Sequence, residues 1–164
     1  MNKKFLKIIS IVALVIICGK LCLEKYLTIN ISSSISPGIY LRLPLDKLNR
    51  GDIVIYDMPK DIDKFVHERE YIINKCHSFI KVVGGLEGDL IENKKNILYI
   101  NNNKVGEISL TDTIGRELPQ IKDFVVSKDY FFPIGNHKNS FDGRYYGQVH
   151  QKYIKNKAKL ILKF

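Results

Sequence analysis

The sequence predicts a mainly β domain with little helix, preceded by one N-terminal transmembrane helix. Two observations carry this expectation. Residues 5–23 are apolar apart from Lys7, Ser10, Gly19 and Lys20. Beyond residue 26 the chain breaks into short β-branched and aromatic runs separated by Gly, Asn and Asp, the pattern of closely spaced strands.

The apolar segment comes first. Nineteen helical residues at 1.5 Å each reach about 28 Å, close to the roughly 30 Å of a bilayer's hydrocarbon layer. Its lysines lie near its ends, where long side chains snorkel to the interface. A cleaved signal peptide needs a small-x-small site, and Lys20-Leu21-Cys22-Leu23-Glu24-Lys25-Tyr26 offers none. Neither Cys18 nor Cys22 follows the small residue that a lipoprotein site requires. Residues 1–25 are therefore expected to be a short N-terminus and a retained anchor. Lys3 and Lys4 precede the span, so the positive-inside rule puts the N-terminus in the cytoplasm and residues 26–164 outside it. That stretch suits one domain with its own core.

Within it, Gly38–Leu43, Asp52–Tyr56 and Phe79–Val83 are strand candidates. Residues 97–100 and 104–108 flank an Asn-rich turn and read as a hairpin. Tyr130–Phe132, Tyr145–Val149 and Leu160–Leu162 supply late strands. One helix is expected at about 59–70, where Ile62, Phe65 and Val66 share a face after Pro59.

Composition excludes several functions. The formal charge is +9, yet the lysines are scattered and no basic stripe interleaves with aromatics, so nucleic acid is not an expected partner. A basic domain tethered beside an anionic bilayer is the simpler account. Cys76 is the only cysteine beyond the anchor, so no disulfide framework is expected. Cys76-His77 is a poor thiol-protease candidate, because neighbours on an extended chain point to opposite faces. His67, His77, His137 and His150 show no metal-ligand spacing, and neither metal nor cofactor is expected.

Chemistry enters with Lys81, which interrupts the apolar run Phe79-Ile80-Lys81-Val82-Val83 before the turn Gly84-Gly85-Leu86-Glu87-Gly88-Asp89. A lysine taken out of water tends to lose its proton and become a usable base. Two further segments stand out: Ser32-Ser33-Ser34-Ile35-Ser36-Pro37-Gly38-Ile39-Tyr40 and Ser140-Phe141-Asp142-Gly143-Arg144-Tyr145-Tyr146-Gly147-Gln148-Val149. Taken locally, the first is a loop entering a strand and the second offers an Asp142–Arg144 ion pair.

Together these segments resemble the bacterial signal peptidase I (S26) superfamily, and within it the conjugative-transfer (TraF-type) signal peptidases. Ser34, Gly38 and Tyr40 are in register with the nucleophile motif Ser-x-Pro-x-Gly-x-Tyr. Lys81 and the following GGLEGD resemble Lys-Arg-Val-Val-Gly-Leu-Pro-Gly-Asp, and residues 140–149 resemble Ser-Phe-Asp-Ser-Arg-Tyr-Phe-Gly-Pro-Val. Arg69-Glu70-Tyr71 and Cys76 resemble the stretch before the lysine motif. The chain departs from the pattern at Ser36, Val82, Glu87, Gly143 and Asn136-His137.

The resemblance implies a membrane-anchored serine endopeptidase with a Ser34–Lys81 dyad and the β-rich signal-peptidase fold. It implies an oxyanion site formed by the Ser34 N–H and the Ser32 hydroxyl. Ser140 would orient the lysine amine, and Asp142 and Arg144 would hold its loop. The implied partners are a pilin precursor as substrate, the lipid bilayer and other proteins of a conjugation machine. The alternatives are a general signal peptidase that removes secretory signal peptides and a catalytically silent adaptor in pilus assembly. Self-cleaving repressors share the dyad but have no anchor and carry a DNA-binding domain.

Overall fold

The structure, a computed structural model, describes residues 9–10, 19, 23–72 and 76–164. The predicted span at 5–23 lies largely outside these residues. Among the described residues, no helix is long and apolar enough to cross a membrane.

The fold is mainly β, as expected. Its strands are β1 (Leu27–Asn30), β2 (Gly38–Leu43), β3 (Ile53–Asp57), β4 (Ser78–Leu86), β5 (Leu90–Lys94), β6 (Ile97–Ile100), β7 (Asn103–Glu107), β8 (Phe124–Val125), β9 (Tyr130–Ile134), β10 (Val149–His150) and β11 (Ile154–Lys163). Helix α1 (Lys60–Glu68) lies between β3 and β4, and a single turn, α2 (Gly143–Tyr146), precedes β10. A seven-stranded sheet has the order β1-β2-β11-β3-β4-β9-β10, and a four-stranded sheet the order β7-β6-β5-β8.

The central position of β3 explains its sequence. Val54, Ile55 and Tyr56 are all buried, because successive side chains enter cores on opposite faces of the sheet. Val54 and Tyr56 pack with Val83, Phe131 and Val149. Ile55 packs with Ile35, Tyr40 and Ala158. A third cluster, around Ile91, Leu98 and Phe132, joins the smaller sheet to β9 and α2.

The structure differs from expectation in three places. Tyr145–Val149 is not one strand. The Asp142 carboxylate caps the Arg144 N–H, which turns residues 143–146 into helix, and Gly147 ends it at φ 77°, leaving only Val149–His150 extended. The last strand is ten residues long because it is paired on both sides, with β2 and with β3. Strands β1 and β5 carry no strong local signal and form by pairing with β2 and β6, and β8 forms by pairing with β5.

Candidate active site

Strand β4 runs inside the larger sheet, between β3 and β9, so Lys81 is not on an edge. Pleating sets Lys81 on one face with Phe79 and Val83. Ile80 and Val82 turn the other way, against the cluster of Ile35 and Tyr40. Only two of the four apolar flanks therefore line the lysine. Its cross-strand partner Val54 and the loop bearing Ser140 complete its surroundings.

Lys81 is 3% exposed. Its Nζ donates to Ser140 Oγ at 2.8 Å and lies 5.2 Å from the centre of the Phe79 ring. Burial lowers its pKa from 10.5 to about 8; the negative charge of Asp142 opposes that shift and the positive charge of Arg144 adds to it. A large fraction of the amine is thus neutral at mildly alkaline pH.

The Ser140 loop is held from inside by a buried ion pair. Arg144 Nε and Nη2 donate to the two carboxylate oxygens of Asp142, each at 2.8 Å. The same guanidinium donates to the carbonyls of His137, Lys138, Ser140 and Glu107. Asp142 also accepts from the N–H groups of Gly135 and Arg144, at 2.7 and 3.1 Å. With nearly every donor and acceptor matched, the pair fixes residues 135–144 as one unit. Phe141 stacks on Tyr145 and on Phe65 of α1, which braces the unit from outside.

The serine loop meets this unit at Gly135. The Asn136 N–H donates to the Ser34 carbonyl at 2.7 Å. A Cβ on Gly135 would lie 2.8 Å from that carbonyl and 2.6 Å from Ser140 Cβ, so only glycine lets the two segments approach. Ser34 is thereby brought to the Lys81–Ser140 pair through its backbone. Among the described residues no hydrogen bond joins Ser34 Oγ to Lys81 Nζ; Ser140 holds the amine. Such bonds commonly tighten only when substrate is present. The Ser34 N–H donates to Ser32 Oγ at 3.1 Å, which sets the two expected oxyanion donors side by side; the N–H must turn from Ser32 to the substrate oxygen before it can serve there, while the Ser32 proton is free to donate.

Sequence reasoning missed the residue that shapes this loop. Asn30 is buried; its Nδ2 donates to the carbonyls of Ser32, Ile35 and Ser36, and its Oδ1 accepts from the Ser32 N–H. The Tyr40 hydroxyl donates to the Ser36 carbonyl at 2.6 Å. An Asn two residues before a serine run is an Asx-turn signal, and it was legible. Gly135 had no such signal, because what it avoids lies far away in sequence.

The match of the whole chain decides the family: residues 2–163 fit the model described as signal peptidase, peptidase S26. The chain belongs to the signal peptidase family, peptidase S26. It is thus a member of a family of serine endopeptidases that act on precursor proteins. Among solved structures it is similar to a signal peptidase I from Enterococcus faecalis V583, with 23% identity over 69% of this chain and 97% of that one and a TM-score of 0.42. No curated protein matches the chain.

Two features of this signal-peptidase-family chain have physical causes. Gly143, where the conjugative type has serine, sits against β9: a Cβ there would meet the Pro133 carbonyl at 2.6 Å and the Phe132 ring at 2.7 Å. Cys76 and His77 form no dyad: Cys76 Sγ is directed to the Ser78 carbonyl, and His77 Nδ1 to Asp63.

Proposed function

We propose that this chain is a membrane-anchored Ser-Lys endopeptidase that matures a conjugative pilin precursor. Ser34 is the nucleophile and Lys81 the general base. Residues 1–25 form the cytoplasmic terminus and single anchor, and residues 26–164 form the catalytic domain on the extracytoplasmic side of the inner membrane.

One observation carries the reading: a buried lysine with a lowered pKa, held by Ser140 beside the backbone of Ser34. A serine hydroxyl needs a base, and lysine serves only when neutral. Ser34 Oγ attacks the scissile carbonyl carbon while its proton passes to Lys81 Nζ. The Ser34 N–H and the Ser32 hydroxyl stabilise the oxyanion. Collapse breaks the C–N bond, and Lys81 returns the proton to the leaving amine. Water then attacks the Ser34 ester, giving its proton to Lys81, and the acid product leaves with Ser34 restored. Ser140 keeps the amine aimed, and Asp142 and Arg144 keep Ser140 in place.

The pilin substrate rests on the likeness of residues 140–149 to the conjugative type. The test is co-expression with the neighbouring pilin precursor and, in parallel, with a panel of secretory precursors. Processing of the pilin alone, lost in Ser34→Ala, is expected. Processing of the whole panel would make the chain a general signal peptidase, and full processing by Ser34→Ala would end the dyad assignment. Protease added to spheroplasts should digest the domain, whereas full protection would refute the topology.

A further inference from the structure

We propose that Asp63, His67 and His77 bind one zinc ion that ties α1 to the start of β4. This inference is independent of the peptidase reading. The sequence spacing of the histidines gave no metal signal; the fold brings His77 to Asp63 and His67, which lie one turn apart on α1.

One donor atom from each of the three residues lies within 4.8 Å of the others. His77 Nδ1 lies 2.9 and 3.1 Å from the two Asp63 carboxylate oxygens. His67 Nδ1 lies 2.7 Å from the Asp63 backbone carbonyl and 3.4 Å from its Oδ1. The two imidazole rings stand 5.2 Å apart at 30°.

The protonation pattern of His67 distinguishes this cluster from an ordinary ion pair. A carbonyl oxygen only accepts, so the Nδ1 beside it carries the proton. In the neutral ring the lone pair then sits on Nε2. That atom is buried and has no hydrogen-bond partner. A metal-ligating histidine characteristically donates its other ring N–H to a carbonyl, which fixes the tautomer and leaves the second nitrogen as the ligand.

Two imidazoles and one carboxylate suit a borderline divalent ion and disfavour calcium or magnesium. Tetrahedral zinc with bonds of about 2.0–2.2 Å would draw the donors to about 3.3 Å apart, a side-chain rotation from their present spacing. The His77 side chain is 61% exposed, which gives the ion a path in and leaves a fourth position for water. The tie has a structural consequence. Helix α1 carries Phe65, stacked on Phe141 next to Ser140, so the site lies on the element that braces the Lys81 pocket.

The full chain, purified in detergent without a histidine tag, would be titrated at pH 7.5 with cobalt(II) and then zinc(II). Binding is expected to give the visible absorption bands of low-symmetry cobalt, removed by one equivalent of zinc. At zinc about a hundredfold above its Kd, the melting temperature should rise by about 5–10 °C, and calcium should not reproduce this. His67→Gln and His77→Gln should each weaken zinc binding about tenfold or more. Because His77 is mostly exposed, its variant reads ligation without a folding defect. Absence of the cobalt bands would overturn the proposal. So would bands and a thermal shift that persist unchanged in both variants, because they would then belong to another site.

Discussion

Replacing Lys81 with methionine should stabilise the protein at neutral pH and destabilise it at high pH. The folded chain releases the Lys81 proton near pH 8, whereas the unfolded chain keeps it to about 10.5. At about 1.4 kcal/mol per pKa unit, the buried charged amine destabilises the fold by about 3 kcal/mol below pH 8. Between those values the unfolded state binds more protons, so wild-type stability rises with pH. Methionine fills a similar volume and removes the charge, but it leaves Ser140 Oγ without its 2.8 Å partner, at a cost of about 1–2 kcal/mol. The variant should therefore be more stable by about 1–2 kcal/mol at pH 6–7, a rise of about 2–6 °C in melting temperature. By pH 10 the wild type has recovered most of its penalty, and the order should reverse. The assay is a series of thermal melts of both proteins from pH 6 to 10. Other groups titrate alike in both, so the difference isolates Lys81. A difference independent of pH, or a variant less stable at pH 6, would refute the desolvated-lysine argument. Lys81→Arg, which cannot deprotonate, should fold and be inactive, and an active enzyme would end the dyad hypothesis.

Activity of the wild type should rise with pH through about 8, because only the neutral amine accepts the Ser34 proton; a flat kcat/KM profile from pH 6.5 to 9 would contradict this. Ser32→Ala should lower kcat about 10²–10³-fold with little change in KM, measured on precursor cleavage, since it removes one oxyanion donor. Gly135→Ala should abolish processing and lower the melting temperature, because its methyl group would meet Ser140 and the Ser34 carbonyl; a fully active variant would disprove that close approach. Asp142→Ala should destabilise by about 3–5 kcal/mol in urea unfolding, because it leaves the buried Arg144 guanidinium without its counter-charge; a loss below 1 kcal/mol would show that the pair does not hold the loop.

Much of the fold is legible in the sequence, for reasons that are local. The β-branched runs expected at 52–56 and 79–83 form the strands Ile53–Asp57 and Ser78–Leu86 because their side chains fit a buried pleated surface. The helix expected at 59–70 forms at Lys60–Glu68, after a proline suited to a helix start and with Ile62, Phe65 and Val66 on one face. Lys81 stands out as a charge inside an apolar run, a contradiction visible from adjacent residues alone.

What the tertiary structure decided is what surrounds those residues. Lys81 is desolvated less by its chain neighbours than expected, since pleating turns Ile80 and Val82 away, and Val54 and the Ser140 loop enclose it instead. The approach of Ser34 to Ser140 depends on Gly135, whose missing side chain matters only once two distant segments meet there. The same holds for His77, which reaches Asp63 and His67 only because α1 folds back against the start of β4. Local steric preference and hydrophobic pattern are properties of adjacent residues, so sequence alone determined the strongly patterned strands such as β3 and β4 and the odd lysine, whereas β1, β5 and β8 needed their partners. Desolvation, close approach and the meeting of donor atoms are properties of space, and packing alone decided them.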